Sequence, residues 1–167
     1  MLRVRQFNVM GNGKSDNKKE GGEIMTGRLN ATTDTWVLLP VRLALGAIFI
    51  VHGIQKVAPI WGGRGLAAWT SGHAPFNLQP SWAWLTAAAF AELIGGLLVF
   101  LGFYTRAGAL MIACVMSVAM LGVHWNHGFF LTNGGFEYTL ALLAMAITLM
   151  IAGGGNGSID YQRYGRG

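Results

Sequence analysis

Residues 36–58 read WVLLPVRLALGAIFIVHGIQKVA, a run long enough to cross a bilayer that nevertheless carries Arg42, His52 and Lys56. At about 100° per residue these three side chains fall within an arc of about 80°, on the same side as Leu45, Phe49 and Gly53. One face of the helix is polar and the others are oily. Near mid-depth each ionised side chain costs on the order of 2.5 to 3.5 kcal/mol unless it is paired, hydrated or able to snorkel. Arg42 and Lys56 lie near opposite ends and can snorkel to the two surfaces; otherwise the face must turn toward other helices.

Composition sets the class. The chain has 167 residues, room for one domain, with 11% charged residues and 25 glycines. Its mean hydropathy of +0.44 is not that of a water-soluble globule. We read an integral membrane protein. The net charge of +5 does not indicate nucleic acid, because six of the twelve Lys and Arg fall in the first 28 residues and no basic face recurs. Cys114 is the single cysteine, which excludes an internal disulfide, and inside its apolar run it reads as a small packing residue. The chain lacks CxxC, P-loop, dinucleotide glycine and HExxH patterns, so no bound flavin, nucleotide, iron–sulfur cluster or metal is expected.

Residues 1–35 are polar and rich in Gly and Lys, and they lack the apolar core of a signal peptide. They read as a disordered cytoplasmic leader. Codons for Glu20, Gly21 and Gly22 can spell a bacterial ribosome-binding sequence, which makes Met25 the expected start. Beyond the leader, four spans are predicted at 36–58, 82–103, 107–125 and 136–152, followed by a short tail at 161–167. The expected fold is all-α, an antiparallel up-down four-helix bundle in the membrane.

The loops set its orientation. Lys and Arg cluster in the leader, at Arg106 and at Arg163 and Arg166, against Arg64 and Lys56 on the other side. Both termini are therefore expected in the cytoplasm. Trp36, Trp61, Trp82, Trp84 and Trp125 stand at span ends, where indole favours the headgroup layer. Small residues beside Glu92 (Gly95, Gly96), and Ala141, Ala144, Thr148 and Ala152 along the Glu137 face, read as packing stripes.

Depth then singles out the polar residues. Glu92 is ten residues inside Trp82, about 15 Å down, while His52, Lys56, His124 and Glu137 are expected within about 10 Å of the outer edge. Glu is too short to snorkel, so Glu92 is expected to pair with Lys56 or another cation, or to carry a proton. Two readings of the cluster stand side by side. One is a polar clasp worth about 1 kcal/mol per hydrogen bond. The other is a pocket for an amphipathic ring such as a quinone, with Lys56 and His52 donating to its oxygens and Glu92 and Glu137 relaying protons. His124, Glu137 and Arg42 are candidate substrate contacts, with Arg42 and Arg106 at the cytoplasmic edge. Haem ligation by His52 and His124 is the weaker alternative, because two spans offering one His each carry no further spacing signal. His73 and His127 read as solvated loop residues.

The ordered pieces resemble the DoxX family of small bacterial membrane proteins over about residues 41–160. They are Arg42, Gly46, Phe49, Gly53 and Lys56; AELIGGLLVFLGFYTR with Glu92, Gly95, Gly96, Gly102, Thr105 and Arg106; His124; GGFEY with Glu137; and GGGNGSID with Gly153, Gly155, Ser158 and Asp160. The resemblance implies a four-span protein of the bacterial cytoplasmic membrane, of a kind often described as an oxidoreductase. Relatives include the DoxD subunit of an archaeal thiosulfate:quinone oxidoreductase, proteins linked to quinone or catechol resistance, and a mycobacterial member of a redox complex. No agreed cofactor or mechanism comes with it, and the long leader departs from the family pattern. The expected function is a redox component that meets quinone or phenolic substrates. A scaffold recruiting a soluble redox subunit and a small proton-coupled exporter are the alternatives, and a homodimer sharing a site is a further expectation.

Overall fold

The computed structural model describes residues 32–165. Most of the leader, including the expected start at Met25, lies outside the described residues. Six α-helices follow: α1 (Leu38–Val57), α2 (Gly65–Thr70), α3 (Ser81–Leu101), α4 (Thr105–Ala119), α5 (Glu137–Ala152) and α6 (Ile159–Tyr164). There is no strand among the described residues.

Local chemistry sets the helix ends. Pro40 falls in the first turn of α1, where a missing N–H costs little, and Pro59 holds Ala58 extended (φ −123°, ψ 146°), which stops α1. Gly102 ends α3 in the left-handed region at φ 69°, and the Phe103 N–H returns to the Leu98 carbonyl at 3.0 Å. α4 does not end cleanly: it widens into a π segment at Met120–His124 and tightens into a 3₁₀ turn at Trp125–His127. The third apolar stretch therefore runs from Thr105 to His127, longer than its expected 107–125. α6 forms where the sequence suggests only a domain edge and a tail.

Three helical stretches are long and apolar enough to cross a membrane, and α5 is a shorter apolar helix of 16 residues, about 24 Å. Protein covers only 33%, 33% and 28% of the three long stretches. The rest of each surface, with Leu43, Val51, Phe90, Ile94, Leu97, Leu110 and Val118 exposed, is apolar and calls for lipid. Cys114 belongs to this outward surface: it is exposed rather than packed inside.

Glycines set how the helices meet. A Cβ on Gly46 would stand 2.7 Å from the Phe100 backbone, one on Gly53 2.6 Å from the Leu93 N, and one on Gly96 2.7 Å from the Ile50 N. Each pair of numbers adds to the same total (46 and 100, 53 and 93, 96 and 50), so α1 and α3 run antiparallel in close backbone contact. Gly95, on the other side of α3, meets the Gly108 carbonyl of α4 at 3.0 Å. α3 is thus the central helix, with α1 on one glycine face and α4 on the other. α5 packs on α4 and reaches back to α1, and the core between them holds Leu45, Phe49, Val99, Ile112, Met116, Leu142, Ala146 and Leu149.

The same register offsets α1 along α3. Val57, the last residue of α1, lies level with Ala89, eight residues after the start of α3 at Ser81, about 12 Å at 1.5 Å per residue. The connection at 59–80 fills the step this leaves. Trp69 of α2 docks there, its Nε1–H donating to the Leu85 carbonyl at 2.9 Å.

Candidate functional site

Carboxylates are scarce enough to be taken one at a time. Residues 36–160 contain three, Glu92, Glu137 and Asp160. Each has hydrogen-bonding partners, and the three lie in different places.

Glu92 sits in the middle of α3, its side chain 3% exposed, and both carboxylate oxygens accept from the Lys56 ammonium. The pairing expected from sequence is therefore present. The offset of α1 explains how Lys56 reaches it: the register places Lys56 level with Phe90, nine residues and about 13 Å along α3. That is deeper than the outer-edge position read from sequence. Trp69 closes the pair from above, with the Lys56 Nζ 4.7 Å from its ring centroid, close enough for a cation–π contact. Lys56 keeps 20% exposure, so the centre is covered but not sealed. Trp69 carries no sequence signal beyond the short apolar run GLAAWT, and the fold alone brings it onto Lys56.

His124 and Glu137 do not join this pair. The His124 Nδ1 lies 2.7 Å from the Gly134 carbonyl, and a Glu137 oxygen accepts from the Leu131 N–H at 2.8 Å. Both side chains pin the connection between α4 and α5. That connection carries an aromatic cluster, with Trp125 stacked on Phe136 at 5.1 Å and Phe129 edge-on to Phe136 at 5.5 Å. His52 is exposed on the outside of α1, next to α5 rather than α3.

Arg42 lies at the far end of α1, fourteen residues from Lys56, about 21 Å. It is 3% exposed, and it donates to the carbonyls of Gly154 (2.8 Å) and Gly157 (3.0 Å). Asp160, also buried, accepts from the Tyr104 N–H, the Thr105 N–H and the Thr105 hydroxyl at 2.7 to 2.8 Å, capping the start of α4. Ser158 caps α6 by accepting from the Tyr161 N–H at 3.0 Å, and its hydroxyl donates to the Gly155 carbonyl at 2.6 Å. Positive φ at Gly153, Gly155 and Gly157 coils this segment tightly enough to hold all three side chains. The first described residues join it, the Thr33 N–H reaching the Ala152 carbonyl at 3.0 Å and the Thr35 carbonyl accepting from the Asn156 N–H at 2.9 Å. This is a structural knot that ties both ends of the described chain to the α3–α4 turn. Of the sequence candidates, then, Lys56 and Glu92 come together, while Arg42, His52, His124 and Glu137 each stand elsewhere.

Among the described residues no group of three or more His, Cys, Asp or Glu gathers as a metal site would require. The geometry does offer a charge pair that can hold a proton between an ammonium and a carboxylate, placed among apolar helices under an indole lid.

Apolar helices that leave most of their surface to lipid, packed around a covered ion pair, define a membrane protein with a sequestered polar centre. The chain belongs to the DoxX family: the DoxX family model matches residues 37–125, which takes in α1, α3, α4 and the Lys56–Glu92 pair. It is 30% identical over 125 residues to an uncharacterized protein of Haemophilus influenzae, covering 74% of this chain and 80% of that one. It is 31% identical over 121 residues to the Bacillus subtilis protein named "Putative oxidoreductase CatD", covering 72% of this chain and 83% of that one. No solved structure matches it.

Proposed function

We propose that this protein is the membrane component of an oxidoreductase system that handles quinones or phenols in the bacterial cytoplasmic membrane. In this reading α1, α3, α4 and α5 form a four-span antiparallel bundle with both termini in the cytoplasm. The clustering of basic residues at the leader, Arg106 and Arg163 supports that orientation. The short α5 spans with help from its Gly-rich flanks and a locally thinned bilayer.

The observation that carries the proposal is the Lys56–Glu92 pair. Two charges held in the middle of an apolar bundle are costly, and such pairs mark proton and substrate paths. Reduction of a quinone to a quinol takes up two electrons and two protons. In our reading a soluble redox partner supplies the electrons, while this chain holds the ring and passes protons through Glu92 and Lys56. The name of the Bacillus subtilis relative agrees with a redox role.

The test uses membrane vesicles from cells producing the full chain or its Lys56→Met/Glu92→Gln double variant. The vesicles are supplied with the cells' own respiratory donors and 2,3-dimethoxy-5-methyl-1,4-benzoquinone. We expect quinone reduction that depends on the chain and falls in the variant. Unchanged reduction with a copurifying redox subunit would mean a scaffold instead. Movement of a phenol across liposomes lacking any reductant would mean an exporter.

A further inference from the structure

The Lys56–Glu92 pair lies between two layers of unlike character. On the Arg42 side, residues 43–51 of α1, 93–101 of α3, 107–116 of α4 and 140–147 of α5 contain no Ser, Thr, Asn, Gln, Asp, Glu, His, Lys or Arg. Such a layer is about 13 Å deep along α1 or α3. Inside it Leu45, Phe49, Val99 and Ile112 are at most 1% exposed. α1 and α3 also close on each other there at Gly46 and Gly96, where an added Cβ would stand 2.7 Å from the neighbouring chain. An apolar layer packed this closely holds no water, and without water or polar side chains a proton has nothing to move along.

On the other side polar groups begin at once. Gln55, the neighbour of Lys56, donates to the Trp61 carbonyl at 2.8 Å, and the connection at 59–80 adds Arg64, Thr70, Ser71 and His73. Lys56 is the second-last residue of α1 and keeps 20% exposure, whereas the Glu92 side chain is 3% exposed. Whatever reaches the carboxylate from this side therefore meets the ammonium first. Trp69 stands over that approach, half-buried, with its ring centroid 4.7 Å from the Lys56 Nζ. Among the described residues its indole N–H makes one hydrogen bond, to the Leu85 carbonyl at 2.9 Å, and α2 is a helix of six residues. Short, thinly held segments of this kind open locally at small cost.

We propose that the Lys56–Glu92 pair exchanges protons with water on one face only, the face that carries the 59–80 connection, and that Trp69 is the gate on that route. When the indole swings aside, water reaches Lys56. A proton lost there leaves a neutral amine beside the Glu92 carboxylate, and the next proton returns by the same route. The opposite face is closed by the dry layer. That the pair works in proton transfer rests on the function proposed above; the face it opens to and the role of Trp69 rest on the packing alone.

Lys56 is the only lysine in residues 32–165, so its labelling can be read directly. Sealed right-side-out and inverted membrane vesicles containing the full chain are treated with sulfosuccinimidyl acetate, a charged amine reagent that does not cross bilayers. Acetylation of Lys56 is followed by mass spectrometry. Ser71→Cys and Gln162→Cys, each with Cys114→Ala, show by charged-maleimide labelling which vesicles present the connection and which present α6. We expect Lys56 to be acetylated where Ser71→Cys is labelled and not where Gln162→Cys is. Trp69→Ala should speed the reaction about tenfold and Trp69→Phe less, because the phenyl ring keeps the cation–π contact and loses the hydrogen bond. Trp61→Ala should leave the rate unchanged, since that ring is 67% exposed on the same connection. Labelling from the α6 face, equal labelling from both, or no effect of either Trp69 change would overturn the proposal. So would the absence of labelling from both faces in Glu92→Gln, whose ammonium has lost its partner. Labelling as expected without chain-dependent quinone reduction would keep the one-sided route and remove the redox role; reduction with labelling from the α6 face would do the reverse.

Discussion

Replacing Lys56 by Met should destabilise the chain more than replacing Glu92 by Gln, and replacing both should cost less than either. The first change strands a carboxylate that is 3% exposed in the middle of α3. Removing one partner of a buried pair typically costs about 3 to 5 kcal/mol, and we place Lys56→Met in the middle of that range. Glu92→Gln strands an ammonium that keeps 20% exposure and the face of Trp69 at 4.7 Å, a contact worth up to about 2 kcal/mol, so about 2 kcal/mol should be lost. The double change leaves no stranded charge and should lie within about 1 kcal/mol of wild type. The coupling between the two sites then comes to about 5 kcal/mol, against about 1 for ordinary polar contacts between membrane helices. Equilibrium unfolding of the full chain in mixed micelles by SDS, followed through tryptophan fluorescence, reads all four corners of the cycle. A coupling below about 1 kcal/mol, or a larger loss for Glu92→Gln than for Lys56→Met, would refute the reasoning.

Trp69→Leu removes both the indole face and the hydrogen bond to Leu85, and should lower stability by about 1 to 2 kcal/mol while exposing the 59–80 connection to protease. Asp160→Ala deprives the Tyr104 and Thr105 N–H groups and the Thr105 hydroxyl of their acceptor, and should cost about 3 kcal/mol in the same unfolding assay; Asp160→Asn, which keeps one acceptor oxygen, should cost about half as much. Gly53→Ala would place a Cβ 2.6 Å from the Leu93 backbone and should cost about 1 to 3 kcal/mol, whereas Gly72→Ala, whose nearest neighbour would be 3.4 Å away, should change stability by less than about 0.5 kcal/mol. In proteoliposomes Cys114 should react with a membrane-permeant maleimide and resist a charged one. Fast reaction with the charged reagent would put the middle of α4 in water.

What was legible in the sequence followed from local rules. Apolar run lengths located the long apolar helices to within a few residues, because the need to satisfy backbone polar groups acts on each apolar segment separately. The helical period placed Lys56 on the same face as Gly53 and Phe49, and the impossibility of leaving Glu92 alone in oil called for a cation opposite it. Both conclusions need only the chain's own chemistry. The π turn at the end of α4 was not legible, since a fifth residue in a turn is a response to packing: Gly122 there would put a Cβ 2.7 Å from Pro75.

The composition and period of this chain determined that it is helical, apolar outside and polar at a few inward points. Tertiary structure alone decided which polar groups meet. The offset between α1 and α3 depends on which glycines nest against which backbone, and that contact joins residues 40 to 54 positions apart. It carries Lys56 down to Glu92 and brings Trp69 over both. It also leaves His52 facing α5, and gathers Arg42 with a carboxyl-terminal coil more than a hundred residues away. A helical wheel gives a residue's angle about its own axis; its height against a neighbour is a property of the pair.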